Sequence, residues 1–440
     1  MLTRRRALST LAAGIGGVSA SGWFPTFAAE QQAAVKKESR HVILLWMSGG
    51  PSQMDTWDLK PGHANGGEFK EIETASPGLK FSEHLPKLAA MSDKLAVLRG
   101  LSTNEGDHGR GTYLMRTGHT PMGALQYPSI GASLANSLSE FTPGLPDFVS
   151  VGPYRALNQD AFGAGFLGPR YSPLIVGASD LPGGVTTGAS GFPELKVQGM
   201  SRSEAVTEDR MNRRLQMWKG LQSEFLASHS GGAVRTHNMI YEGAVQLMNS
   251  KDALAFDLTK EPDEVRTRYG QTVFGQGCLL ARRLIEHGVS FVEVSLGTSS
   301  GGIGWDTHSD IFTEVARLSA DLDTGWSALM TDLNERGLLD STTILWMGEF
   351  GRTPAINPSV GRDHFPNAWS AVLAGGGIAG GQAFGRTSDD GMEVVDGMIS
   401  AEDLLSTLCH AAGVGGVNLR APDGRPIPIT SGEPIREVLA

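Results

Sequence analysis

The sequence predicts an α/β protein: a three-layer α/β/α sandwich around a mostly parallel central sheet. Three observations carry that expectation. Apolar runs such as HVILLWM at 41–47 are continuous rather than alternating, as in strands covered on both faces. Segments with helical period alternate with these runs, as in GQGCLLARRLIEHGVSFVEVSLG, where Gly288 separates a helix from a strand at 289–294. The 440 residues are 40% hydrophobic, enough for a large core, and many of the 58 glycines sit at the ends of apolar runs, where the chain must turn.

Taken in order, the chain opens with TRRRALSTLAAGIGGVSASGWFPTFAAE, a basic head, a mildly apolar stretch and small residues at Ala28 and Ala29. Residues 1–29 read as a twin-arginine-type signal peptide, cleaved near Ala28 or Ala29. The stretch is too short and too weakly apolar for a stable membrane span. The expected location is therefore periplasmic or secreted, with no transmembrane span in the mature chain. One domain is expected over 40–430. It begins with the strand at 41–47, a short strand at 95–98 (LAVL) and a helix over 128–139.

From 143 to 199 the chain is rich in Gly, Pro and aromatics and shows no period, so it reads as an irregular insertion lying over the carboxyl edge of the sheet. Helical spacing with many charges returns over 203–256. A long amphipathic helix then stops at Gly337, and TTILWM at 342–347 is the next buried strand. AWSAVLAGGG is a further strand and turn, and AEDLLSTLCHAAG a last helix opened by an acidic cap.

Composition excludes some functions. A net charge of -10 leaves no basic footprint for nucleic acid. The two cysteines, Cys278 and Cys409, lie in apolar helical contexts with no C-x-x-C pair, so they read as buried thiols.

In open parallel sheets, ligands sit beyond the carboxyl ends of the strands. Four segments near such ends hold residues of metal-ligand or catalytic type. They are SGGPSQMDTWDLKP with Asp55 and Asp58, STNEGDHGRGTYLMRTGH with His108, Arg110 and Thr112, SLGTSSGGIGWDTHSD with Asp306 and His308, and WMGEFGRTPAINPSVGRDHF with Glu349, Arg352, Arg362, Asp363 and His364. Imidazoles beside carboxylates are the usual ligand set of hydrolytic metal sites. A carboxylate directly after a buried strand, as at Glu349, needs a metal or a partner, and Arg352 could be that partner.

GGPSQMDTWDLKP, GDHGRGTYLMRTG, GWDTHSD and GEFGRTP…GRDHFPNAW resemble the motifs of the DUF1501 family of exported bacterial proteins, over nearly all of the chain from about His41 to about Pro428. The resemblance implies an alkaline phosphatase-like fold, shared with phosphatases and sulfatases, and a divalent metal ion, whether Zn, Mn, Ca or Mg. It implies hydrolysis of a phosphate or sulfate ester of a small molecule or glycan. The alternative is an exported binding or assembly protein that keeps the fold without the chemistry.

Carried over by motif, Asp306, His308 and His364 resemble metal ligands. Glu349 is a ligand or a neighbouring acid, and Asp55 is the acid of the first loop. His108 falls near the position of the usual nucleophile, with Thr112 as the candidate hydroxyl. Arg110 or Arg352 would steady the anion. The chain departs from the superfamily pattern where Glu349-Phe350 replaces Asp-His, where Ser48 replaces an acid directly after the first strand, and in lacking C-x-P-x-R or S-x-P-x-R.

Overall fold

The apolar run His41–Met47 forms β1, an inner strand of an eight-stranded sheet, in a computed structural model of the chain. The structure describes residues 41–440 except 122–124, 140–143, 178–184, 189, 198–205, 229–231 and 298–302. The expected signal peptide lies outside the described residues. After β1 come β2 (Leu95–Leu101), β3 (Phe148–Val151), β4 (Leu174–Val176), β5 (Phe291–Leu296), β6 (Thr342–Met347), β7 (Trp369–Gly375) and β8 (Gln382–Phe384). Their spatial order is β8-β2-β7-β6-β1-β5-β3-β4.

β1 pairs in parallel with β5 and β6, β3 with β5 and β4, and β8 with β2. β7 runs antiparallel to both of its neighbours, so every other strand of this sheet points the same way. The carboxyl ends of β1, β2, β5 and β6 therefore lie along one edge.

Both faces of the sheet are covered, which is why its strands are continuously apolar. Ile43, Leu45 and Met47 of β1 enter one core cluster, while Val42, Leu44 and Trp46 enter the other. The first face carries α3 (Val273–Glu286) and α4 (Ile311–Glu335), which contribute Leu280 and Trp326. On the second lie α1 (His108–Thr117), α2 (Ile130–Leu138) and α5 (Ala401–Ala411), with Met115, Leu134 and Leu405. Each such buried side chain contributes roughly 1.5–3 kcal/mol. The result is an α/β/α sandwich with a mostly parallel sheet. No helix among the described residues is long and apolar enough to cross a membrane.

The stretch 143–199, expected to be irregular, supplies β3 and β4 to the main sheet. FVSV and LIV are too short for a two-residue period to show among the surrounding glycines and prolines. Elsewhere in the stretch, Asn158 Nδ2 donates to Gly109 O at 3.0 Å, and Ala161 O accepts from Arg116 Nε at 3.0 Å, so this part packs on α1. The charged segment 203–256 contains the helices Glu208–Ser228 and Gly232–Asn249.

Candidate metal centre

α1 starts in the loop after β2, where the Asp107 side chain accepts from Arg110 N at 3.0 Å and caps the helix. This sets His108 at the first helical position, facing the loops after β1, β5 and β6. Those loops are pressed together. Gly49 adopts φ +113°, and a Cβ there would overlap the backbone of Trp305 and Asp306. A Cβ on Gly361 would overlap the backbone of His308, and Arg362 N donates to Thr307 O at 3.0 Å. Only glycine allows approaches this close.

Three imidazoles and one carboxylate converge in the space so formed. Asp306 Oδ1 lies 3.2 Å from His108 Nε2, 3.0 Å from His308 Nε2 and 3.3 Å from His364 Nε2. His308 Nε2 and His364 Nε2 are 3.1 Å apart. The ligand atoms of His108, Asp306 and His364 all lie within 4.8 Å of one another, a group able to hold a metal ion.

The opposite ring nitrogens show which way the protons point. His364 Nδ1 meets the carbonyl of Gly106 at 2.8 Å, an acceptor only, so Nδ1 carries the hydrogen. His108 Nδ1 meets Glu349 Oε1 at 2.7 Å, and His308 Nδ1 meets Asp363 Oδ1 at 2.8 Å. With those carboxylates ionised, both rings donate outward. In that orientation the three rings turn Nε2 toward the Asp306 carboxylate oxygen. His108 Nε2 is buried, and the acceptor beside it is Asp306 Oδ1 at 3.2 Å. Lone pairs facing one another at about 3 Å repel unless a proton or a metal ion lies between them.

The residues therefore fit a metal ion. Imidazoles that donate their outer N–H to a carboxylate or carbonyl are the usual arrangement around one. The separations of Asp306 from each ring, at 3.0–3.3 Å, match the ~3.3 Å between neighbouring ligands of a tetrahedral ion with bonds near 2.0–2.1 Å, while His308 lies outside the group whose ligand atoms all fall within 4.8 Å of one another. Phe350, fully buried, floors the cluster with its ring 5.0 Å from that of His108 and 4.7 Å from that of His364.

Protonation of the metal-free cluster follows from its charges. Burial opposes a charged His108, but hydrogen bonds and attraction from Asp306 and Glu349 outweigh it and push its pKa up to about 9. Burial alone would raise the Asp306 carboxyl. Hydrogen bonds from His108 and His364, with the charge of Arg352, instead hold it well below the ordinary carboxylate range. The His308 hydrogen bond keeps the exposed Asp363 ionised as well.

Two buried guanidiniums hold the loops in place. Arg352 donates to Gly49 O, to Gly50 O at 2.9 Å, to Arg362 O at 3.3 Å and to Asp306 Oδ1 at 2.6 Å. Arg362 donates to both oxygens of Asp55, at 2.7 and 3.2 Å, to Asn65 O at 2.9 Å and to Pro354 O.

These contacts redistribute the roles expected from sequence. Asp55 is not in the cluster: both its oxygens are spent on Arg362, and Ser52 Oγ adds a donor at 2.5 Å. His108, expected near a nucleophile, lies among the converging ligand atoms. Glu349 does not pair with Arg352; its Oε1 accepts from Gly49 N and His108 Nδ1, which makes it the acid that orients His108. Arg352 is bonded to loop carbonyls and Asp306, and its Nη1 lies 3.5 Å from His308 Nε2. Arg110 forks onto Glu105, with both contacts at 2.6 Å. Thr112 is buried in α1 with its hydroxyl unpartnered. His308 and His364, placed in the cluster by sequence, are there. The Gly106 carbonyl escaped sequence reasoning because a backbone acceptor leaves no side-chain signature.

The family model "Protein of unknown function (DUF1501)" matches residues 39–439, and the chain belongs to that family. No curated protein matches it. Solved structures similar to the chain include the lipoteichoic acid synthase LtaP from Listeria monocytogenes, at 8% identity and TM-score 0.41, covering 89% of this chain and 74% of that one. The PsFucS1 sulfatase from Pseudoalteromonas sp. is 12% identical with TM-score 0.39, over 92% and 72%. The phosphonate monoester hydrolase of Agrobacterium radiobacter is 12% identical with TM-score 0.38, over 90% and 76%. Similarity of this degree transfers no activity and no residue role.

Proposed function

We propose that this chain is an exported metal-dependent hydrolase of phosphate or sulfate esters, with one divalent ion held by His108, His308, His364 and Asp306. The observation that supports the reading is the convergence of three Nε2 atoms on the Asp306 carboxylate, with Nδ1 of each ring held by an acceptor on its far side. A ligand set of three imidazoles and one carboxylate suits zinc, manganese or iron better than calcium or magnesium. Such an ion would act as a Lewis acid on the ester oxygen and lower the pKa of a bound water.

The chain's own residues divide the remaining work. Glu349, Asp363 and the Gly106 carbonyl fix the three rings in the tautomer that presents Nε2. Arg352 holds Asp306 ionised and in place. Phe350 closes the floor against water. The His308 side chain is 45% exposed and that of Asp363 57%, so an ester reaches the centre from their side. Export is proposed from TRRRAL and the small residues before Glu30.

One observation favours the rival reading of a binding protein. The candidate hydroxyl, Thr112, is buried, and both candidate anion-binding guanidiniums are already paired. A screen of aryl phosphate and sulfate esters with metal-loaded and chelator-stripped protein separates the two. Turnover that needs the metal and is lost in His364→Ala is expected. Bound metal without turnover of any ester would leave a metal-bearing binding protein.

A further inference from the structure

A second site lies away from the metal centre and shares no residue with it. The hairpin Thr186–Thr187/Pro193–Glu194, the turns Lys251–Phe256 and Leu258–Lys260, and the short helix Asp263–Tyr269 border a cavity of about 520 Å³. Its wall is mostly apolar, with Phe192, Leu195, Met248, Leu254 and Phe256 among the lining side chains. That volume is in the range of small-molecule sites.

Arg266 also lines the cavity and is only 6% exposed. One face of its guanidinium is stacked on Phe192, with Cζ 4.1 Å from the ring centroid. Its Nε donates to Gln276 Oε1 at 3.1 Å. The two terminal nitrogens have no acceptor among the described residues. The other charges on the wall are already paired: Glu194 with Lys196, and Asp257 with the backbone and hydroxyl of Thr259 at 3.0 and 2.6 Å. A nearly buried guanidinium with no counter-ion is costly to keep, and its planar fork matches a carboxylate.

We propose that this cavity binds a small amphipathic monocarboxylate, with the head group forked onto Arg266 and the apolar body against Phe192, Leu195 and Leu254. The acid would supply the missing acceptor in a charge-assisted pair, and its hydrocarbon part would displace water from the apolar wall.

Calorimetric titration of the full-length protein with decanoate, 3-phenylpropionate and decylamine tests the proposal, with the acids below their micelle concentrations. Saturable binding of at least one acid and none of the amine is expected. Arg266→Gln should weaken acid binding by ~10-fold or more, the usual loss when a charge-assisted hydrogen bond is removed. Ala253→Trp, which fills the cavity and leaves Arg266 in place, should abolish it. Thermal midpoint and metal content report on folding, and if Arg266→Gln fails to fold, Ala253→Trp decides. No binding of either acid at millimolar concentration would overturn the proposal, as would equal binding of decylamine or binding unchanged in Ala253→Trp.

Discussion

Asp55 and Asp306 hold comparable places in the chain and do opposite things. Each lies in a loop that leaves a buried parallel strand, and each looks from sequence like a ligand. Around Asp55 every neighbour is a donor: Arg362 forks across both oxygens and Ser52 adds a hydroxyl. Around Asp306 one donor, Arg352, is joined by three imidazole Nε2 atoms whose rings are held from the far side, at Nδ1, by outer acceptors. A carboxylate ringed by donors is complete and holds loops together. One that faces imidazole nitrogens is completed by a proton on them or by a cation.

The most severe way to break this contrast is to remove a converging imidazole. His364→Ala should take bound metal from one ion per chain to background, by elemental analysis, while circular dichroism stays that of the wild type. Retention of stoichiometric metal would show that His364 is not a ligand. On the closed side, Arg362→Ala strands the Asp55 carboxylate in the interior. It should cost about 3–5 kcal/mol in denaturant unfolding without removing metal from the protein that remains folded. Loss of metal at unchanged stability would reverse the roles given to the two acids.

Asp363→Ala sharpens the account with a smaller effect. It removes the outer partner of His308 and an acceptor of Asn357 Nδ2 at an exposed position, so metal affinity should fall by ~10 to 100-fold with stability little changed.

The pH dependence is gentler still. In metal-free protein the His108 pKa is raised from 6.5 to about 9, so folding favours its protonated form. That stabilisation is full below about pH 6.5 and is lost as pH rises through about 9. The thermal midpoint of stripped protein should therefore decline over that window, and the decline should lessen in His108→Ala or when metal replaces the proton. A flat profile in stripped wild type would remove the carboxylate pairing of His108.

Much of the framework was legible before the structure. β1 and β6 have the bounds that their apolar runs suggest, because burial on both faces leaves an uninterrupted pattern, while α5 is capped by Ser400 with Asp403 answering it from the first turn rather than by an acid. β3 and β4 were not legible, since three- and four-residue strands carry too little period. At the site, loops rich in His and Asp pointed to the right edge of the sheet. They could not separate Asp55 from Asp306, because the distinction lies in which distant arginine arrives. Arg362 lies 307 residues from Asp55 along the chain. The role of His108 was hidden for the same reason, as its ring is turned by Glu349, 241 residues away.

The central claim, one metal ion among His108, His308, His364 and Asp306, is tested most directly by titrating chelator-stripped wild-type protein with zinc or manganese near pH 8 while recording ions bound and protons released. The account predicts saturation at one ion per chain with net proton release, because the ion displaces the proton that His108 carries in its absence. No saturable binding, or binding that persists unchanged in His364→Ala, would contradict it.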